Sequence, residues 1–565
     1  MSSKSIFELA AISNSISKLT SSSASVVCKD VKFAYHHSAL LYPIRRLDSS
    51  ASLYRDARSK SEKSRQRLVR HYSTNSFTHS QFNNERSATP ASAVAVAVEG
   101  QTVEMKSHPS KPVGKPTGSK PVTKYQMSQS EVPSTRLARI FHYGSLAAGM
   151  GIDVARQGIK HYASGNQGEV SMKSLILSPA NIERMAKKFS KMRGAALKIG
   201  QMMSFQDSSI LPKEIQQILL RVQNSAHYMP PAQLERVMKS DLGANWRERN
   251  FTSFDDVPIA AASIGQVHNA VTEDLTLVVV KVQYPGVVDS IDSDLNNLLM
   301  LMTASSMLPA GLFLDKTIAN ARTELKWECD YIREAQNIIR FGDLLKDDAA
   351  FTVPKVYHNL CGEHVLTMEK MKGTEIVKGD WDQDTRNWIA TNIMRLCLTE
   401  IKKFKFMQTD PNWANFLYNE ESGKIELLDF GASREFGDDF IEDYVAVLRA
   451  SVNKDRKGVE HYSRKLGYLT GLESPSMVEA HIDSIMVLGE VFSPHDNHGQ
   501  AFNFKKQTIT DRVRSNIGIM LNERLTPPPE ETYSLHRKLS GVYLLCARLG
   551  ATVPCEKLFK DIIGY

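Results

Sequence analysis

Gln408-Thr409-Asp410-Pro411-Asn412-Trp413-Ala414-Asn415 places an aspartate and an asparagine five residues apart. Fourteen residues further on, directly after the apolar run Ile425 to Leu428, comes Asp429-Phe430-Gly431. Chemistry on a phosphate needs carboxylate and amide oxygens that hold Mg2+ against it, and a carboxylate beside the attacking hydroxyl or water. Asn415 and Asp429 fit the metal-holding role, and Asp410 fits the base or orienting role. An Asp-Phe-Gly alone is a weak signal, because a strand end often turns on such residues. Asp-x4-Asn, then a short hairpin (416–418 and 425–428 around Ser422-Gly423), then Asp-Phe-Gly is a strong one.

Upstream, Val278-Val279-Val280-Lys281 reads as a buried strand ending in a lone lysine. Burying a lysine costs several kcal/mol unless a carboxylate or phosphate meets it. The partner is expected on one helix running from Glu324 to Asn337, which carries Glu324, Glu328, Asp330 and Glu334. At about 100° per residue, Glu328 and Glu334 point roughly 120° apart on such a helix, so they cannot serve the same neighbour. One can meet Lys281 while the other faces a different element.

A β-rich stretch (Gln266 to Ala270, a turn at Thr272-Glu273-Asp274, Leu275 to Val282) precedes helical periodicity from Ile291 to Phe341. A short strand, His364 to Met368, follows, and then mostly helices to the end. The predicted fold class is α+β: a bilobal protein-kinase-like fold with an N-terminal helical extension and a helical C-lobe. Its expected N-lobe spans 246–371 and its C-lobe 372–565.

An ordinary kinase has a glycine-rich loop before the lysine, whose backbone amides cradle the phosphates. Here that place holds Pro258-Ile259-Ala260-Ala261-Ala262-Ser263-Ile264-Gly265. Alanine does not take positive φ as glycine does, so nucleotide must be held differently, with Ser263 supplying a hydroxyl. Gln408-Thr409 stands where His-Arg is usual, no basic residue sits two after Asp410, and no Ala-Pro-Glu follows Asp-Phe-Gly. A platform for a protein substrate is not visible.

The remaining chain sets the context. Of its 565 residues, the first seventy carry thirteen Lys/Arg against five acids, which accounts for the whole net charge of +8. The rest is balanced, and that removes the main argument for nucleic-acid binding, which needs a basic face on the folded domain. Residues 1–72 have the Ser- and Arg-rich, acid-poor composition of a mitochondrial transit peptide, with cleavage expected after Tyr72. Residues 73–132 read as a Ser/Thr/Ala/Pro/Lys-rich linker. Residues 133–245 form the helical extension. It opens with an amphipathic helix over Ser134 to His161, suited to a membrane surface or to packing on the domain. A second helix opens at Ser178-Pro179 and runs to about Met203. No segment offers the roughly 18 apolar residues of a spanning helix. The six cysteines lack any CxxC pair, so reduced, mostly buried thiols are expected.

From about Pro133 to Ile563 these residues resemble the UbiB-type atypical kinase-like family, closely its mitochondrial ubiquinone-biosynthesis branch. Lys198-Ile199-Gly200-Gln201 matches the family's Lys-x-Gly-Gln motif, and Ala260, Ala261, Ala262 and Ser263 match its alanine-rich loop. The resemblance implies that the Lys-x-Gly-Gln helix lies across the substrate side of the active site, with Lys198 and Gln201 pointing inward. It implies that Glu328 and Asp330, as a Glu-x-Asp motif, meet Lys198, and that Glu334 pairs with Lys281. Met368, Glu369, Lys370 and Met371 match the hinge whose backbone binds adenine. The implied cofactors are ATP and Mg2+. The implied partners are ubiquinone-biosynthesis enzymes and lipid precursors, with peripheral contact at the matrix face of the inner membrane; a homodimer is left open. Lipid-stimulated ATP hydrolysis is associated with the family.

The leading expectation is therefore an ATPase, or a kinase of a small or lipid-like substrate, with Asp410, Lys281 and Glu334 as its catalytic residues. A mitochondrial Ser/Thr protein kinase and a nucleotide-binding scaffold without turnover are the alternatives. Retention of Lys281, Asp410, Asn415 and Asp429 together counts against the scaffold.

Overall fold

The protein is described from a computed structural model. Its described residues are 227–304, 313–497 and 499–564, with short stretches (128–129, 144–146, 149, 152–153, 156 and 180–184) before them. The expected transit segment, Cys28, the Lys198-Ile199-Gly200-Gln201 motif and the expected linker apart from Ser128–Gln129 lie outside the described residues; that dipeptide is a short strand paired parallel with His227–Tyr228. Of the extension, Arg184 bonds the Asp153 carboxylate and the Gly149 carbonyl, each at 2.7 Å, and Leu146 and Ile182 are buried. No helix among the described residues is long and apolar enough to cross a membrane.

Alternating burial builds the first sheet. Its strands are β1 (Phe251–Phe254), β2 (Ala260–Ala261), β3 (Gly265–Thr272), β4 (Leu277–Gln283) and β5 (Val365–Glu369), and its order is β1-β3-β4-β5 with β2 paired to β3. Every pairing is antiparallel. On β4, Val278, Val280 and Val282 are fully buried, as a central strand covered by helices requires. Lys281 is not at the strand end, as the sequence suggested, but inside it, with Val282 and Gln283 continuing the ladder to Val365. The strand continues because these two residues still have partners on both sides, Gln266 and Gly265 on β3 among them.

Helices α1 (Pro231–Leu242) and α3 (Tyr331–Leu345) pack on this sheet, and α2 (Leu314–Glu328) packs on α3. The single helix expected from Glu324 to Asn337 is thus two. Asp330 breaks it, because its side chain accepts the Arg333 N–H at 2.9 Å and caps α3. The Cys329 carbonyl turns away to accept Gln283 Nε2 at 2.8 Å. Glu328 and Glu334 lie on two separate helices, divided by the Cys329-Asp330 turn, so their directions are not set by an angle around one axis.

The second lobe is helical. Asp382 caps α4 (Gln383–Thr399), which runs into a π-helical turn, Glu400–Phe404. A strand, Phe406–Gln408, then pairs antiparallel with Ser433–Glu435. Between these two lies the predicted hairpin, Phe416–Asn419 with Lys424–Leu427. Further helices (Asp438–Val452, Arg456–Lys465, Pro475–Gly489, Ile509–Glu523) lead to α5 (Glu530–Leu549), which packs back beneath the hairpin lobe. One contiguous apolar core runs from Met229 to Ile563. The five described cysteines are free, and four of them are buried.

Candidate active site

Lys281 projects from β4 to the first turn of α3. Its ammonium donates to both oxygens of Glu334, at 2.8 and 2.9 Å, and stands 3.7 Å from Asp429 Oδ1. The lysine is 7 % exposed and the glutamate 0 %, so neither charge could persist alone. Burial pulls the Lys281 amine down, but the Asp429 and Glu334 carboxylates outweigh it and hold the amine well above its ordinary range. Burial pushes Glu334 up, and Lys281 opposes that. The Tyr331 ring completes the wall, 5.2 Å from the ammonium. Its hydroxyl crowds Gly265, where a Cβ would lie 2.6 Å from Tyr331 Oη, so only glycine lets the strand pass.

Asp429 leaves its strand with φ of 57°, left-handed for a residue that is not glycine. Its Oδ1 accepts the Gly431 N–H at 3.3 Å, an Asx turn that aspartate supports locally. In the preceding loop, Asp410 accepts from Asn412 N at 3.2 Å and from Asn415 Nδ2 at 3.4 Å. That second bond faces the amide nitrogen of Asn415 toward Asp410 and turns its Oδ1 the other way. Lys281, Glu334 and Asp429 thus form one contact cluster and Asp410 with Asn415 another, and the two are tied through the backbone: Leu428 N–H donates to Asn415 O at 2.8 Å, and Gln408 Nε2 to Asp429 O at 3.0 Å.

Above them, the alanine-rich segment is a folded-back hairpin rather than an open loop. Ala260 and Ala261 pair with Val267 and Gln266, and Ala262 N–H donates to Gly265 O at 2.8 Å. Ala260 is exposed, and Ala261, Ala262 and Ser263 are half-buried. Met368 and Glu369 end the edge strand β5, and Lys370 N–H donates to Leu277 O at 3.2 Å before the chain passes Met371 into the second lobe.

Glu328 is buried at the end of α2, one turn beyond Glu324. The expected partner of Glu328, Lys198, lies outside the described residues, as do Gly200 and Gln201. Asp330, expected beside them, has the capping role given above.

Several residues of the site escaped the sequence reading. Arg537 on α5 is 5 % exposed and binds Glu324 through Nη2 at 2.9 and 3.0 Å. Burial disfavours its charge, yet Glu324 first and then Asp410 and Glu328 more than restore it. Its Nη1 is buried without a hydrogen-bond partner among the described residues. The next residue, Lys538, is 2 % exposed and donates to the carbonyl and to the side-chain oxygen of Gln408, each at 2.7 Å. A signal was available: Lys538 falls in register with Leu535, Leu539 and Val542, so a charge sits on the apolar face of α5.

A two-lobed fold, a strand lysine paired to a helix glutamate, and an Asp/Asn/Asp set at the lobe junction define an atypical member of the protein-kinase-like class. Residues 221–463 match the ABC1 atypical kinase-like domain. The chain is 61% identical over 440 residues to "Atypical kinase COQ8, mitochondrial" of Saccharomyces cerevisiae, covering 78% of this chain and 87% of that one. It is 49% identical over 440 residues to the protein of the same name in Schizosaccharomyces pombe, covering 78% and 71% of the two chains. With "Atypical kinase COQ8B, mitochondrial" of Danio rerio it shares 45% over 437 residues, covering 77% and 69%. The chain belongs to the ABC1 atypical kinase-like family, in its mitochondrial COQ8 branch.

Proposed function

We propose that the chain is a Mg2+-dependent ATPase, or a kinase of a small or lipid-like acceptor, that serves coenzyme Q (ubiquinone) biosynthesis in mitochondria. One observation carries the reading: the buried Lys281 is held by Glu334 at 2.8 Å with Asp429 3.7 Å from the same ammonium. A charge kept at such cost has a use at the surface it faces, and that surface is the cleft.

In this reading the Ala260–Ser263 hairpin covers the phosphates, Lys281 contacts them, and the backbone of Met368 to Met371 takes adenine. Asn415 and Asp429 hold Mg2+; amide and carboxylate oxygens are the hard donors this ion prefers. Bound there, the ion would neutralise charge on the phosphate oxygens. Asp410 orients the attacking hydroxyl or water and takes its proton. Glu334 keeps Lys281 extended and charged.

The second reading, a Ser/Thr protein kinase, draws on the same Asp410. It lacks the basic residue two positions on, and in the family pattern the Lys198–Gln201 helix would close the acceptor side. Phosphate release measured with and without a generic protein acceptor separates the two. Release that proceeds with water alone and transfers no label to protein supports the first; transfer that depends on the acceptor supports the second.

The location follows the same reading. A mature chain beginning near Ser73 lies against the matrix face of the inner membrane, close to ubiquinone-biosynthesis enzymes and their lipid precursors. The endogenous chain isolated with Met1 or Ser2 at its N-terminus would refute the transit segment.

A further inference from the structure

The metal-side loop is held in an unusual way. Five successive carbonyls, from Asp429 to Ser433, each accept a hydrogen bond from a side chain elsewhere in the fold. Asp429 O accepts from Gln408 Nε2 at 3.0 Å, and Phe430 O from Asn337 Nδ2 at 3.0 Å. Gly431 O accepts from Arg333 Nη1 at 2.8 Å, and Ala432 O from Thr409 Oγ1 at 2.6 Å. Ser433 O accepts from the other arm of Arg333. The donors come from both lobes: Arg333 and Asn337 from α3, Gln408 from the end of the strand before Asp410 and Thr409 from the residue that follows it.

Two of these donors are themselves fixed. Gln408 has an amide that could face either way, and Lys538 settles which. A lysine ammonium only donates, so Gln408 Oε1 must face it, at 2.7 Å, and Nε2 is left for Asp429 O. Glu400 on the π-helical turn lies 3.5 Å from the same ammonium and accepts the Gln408 N–H at 3.1 Å. Arg333 is set by stacking its guanidinium 4.7 Å over the Trp327 ring. Its planar fork reaches two carbonyls two residues apart, which a point charge such as lysine cannot do.

We propose that Arg333, and Lys538 acting through Gln408, are positioning residues that fix the Asp429–Ser433 backbone before nucleotide arrives. The Asp429 carboxylate is thereby presented to the metal without a loop rearrangement. Gln408-Thr409, read from the sequence as a missing His-Arg, is thus a working substitute that grips the loop through two carbonyls. Left-handed backbone at Asp429 costs of order 1 kcal/mol or more and persists only where the surroundings over-determine it. Five side-chain bonds supply that. The inference rests on the proposed role of Asp429 as a metal ligand.

The test uses the full-length protein and its Arg333→Lys and Lys538→Met variants. ADP affinity is measured by calorimetry with Mg2+ and with chelator, and hydrogen exchange is followed at residues 429–433. In the wild type, Mg2+ should strengthen ADP binding and these amides should be protected without ligand. In each variant the Mg2+-dependent gain should fall roughly tenfold or more, the loss of one buried charged hydrogen bond. ADP affinity under chelator should hardly change, and exchange at residues 429–433 should accelerate in the free protein. A merely structural defect would lower both affinities together. Variants with the wild-type Mg2+ gain and wild-type protection would overturn the proposal. Lys538 is fully buried, so its variant could fail to fold; the half-buried Arg333 then decides the matter alone. A wild type whose ADP binding ignores Mg2+ would instead overturn the metal role of Asp429, on which the proposal stands.

Discussion

The hairpin and the loop that the proposed function sets above and below the nucleotide are anchored differently. Ala260–Ser263 is tied by backbone bonds to its own sheet, such as Ile259 N–H to Val267 O and Ala262 N–H to Gly265 O, both 2.8 Å. Asp429–Ser433 is gripped by side chains of both lobes at every carbonyl. A segment with exposed backbone and few buried apolar contacts opens at low free energy, whereas one bonded into the core opens only with it. The contrast teaches where adjustment can occur: the roof can move over a ligand, and the floor is preset. The floor should therefore be intolerant of change and the roof forgiving.

The largest effect should follow Asp429→Asn. The amide loses the charge that faces Lys281 and, in the proposed function, the metal, and the neutral amide of neighbouring Asn415 cannot replace it. Mg2+-dependent nucleotide binding or turnover should drop roughly 100-fold or more, about 3 kcal/mol, with the melting temperature little changed. Unchanged Mg2+-ATP affinity together with unchanged hydrolysis would break the contrast at its strongest point.

Next comes Gly541→Ala, under the floor. Helix α5 approaches the Asp410 loop so closely that a Cβ at Gly541 would lie 2.2 Å from Pro411 Cβ. Intrinsic propensity favours alanine in a helix by about 1 kcal/mol, while forcing a methyl into a packed contact costs about 1–3 kcal/mol. Pro411 is rigid, so the packing term should win. Thermal melting should show net destabilisation, and turnover should fall because Asp410 shifts with its neighbour. A variant more stable than the wild type would show that the approach can relax.

How much of this was legible in the sequence depends on the kind of residue. The contacts of Lys281 with Asp429 and of Asp410 with Asn415 were readable because these pairs are made by the residues' own side chains, in motifs of fixed spacing. The β3–β4 hairpin was readable from alternation. The break at Cys329-Asp330 was not, because periodicity runs through a cap when the helices on both sides keep an apolar face; only Asp330 three residues before Arg333 and four before Glu334 hinted at it. Arg333, Gln408, Thr409 and Lys538 act on backbone carbonyls, which every residue has. Nothing in a sequence says which carbonyl a donor will find across 98 or 130 positions.

A smaller effect is expected from pH. Burial raises the Glu400 carboxyl from an ordinary 4.5 to about 6, with Lys538 opposing the rise. A carboxyl whose folded pKa is raised contributes stability that is fully present below about 4.5 and lost as pH rises through about 6. That window is worth about 2 kcal/mol at most. Glu400→Gln cannot ionise, so its melting temperature should gain on the wild type between pH 4.5 and 6.5 and hold that gain above it. A stability difference that does not vary with pH would show that Glu400 titrates in the folded protein as it does in the unfolded chain.

The smallest effect should come from the roof. Ser263 is half-buried at the tip of the alanine-rich hairpin, and its hydroxyl is the one side-chain donor that segment offers to a phosphate. A hydrogen bond made in a solvent-accessible place exchanges a water for a ligand oxygen, and its net worth is about 0.5–1.5 kcal/mol. Ser263→Ala should therefore raise the KM for ATP roughly 2- to 10-fold and leave kcat nearly untouched, because the backbone amides of the hairpin remain and nothing below it moves. Steady-state kinetics across ATP concentrations at saturating Mg2+ reads this directly. A loss approaching that of Asp429→Asn, or a fall in kcat with KM unchanged, would mean that the roof holds the reacting phosphate as tightly as the floor holds its metal. The division between a compliant roof and a fixed floor would then fail, and the hairpin would have to be counted among the parts that set the geometry of transfer.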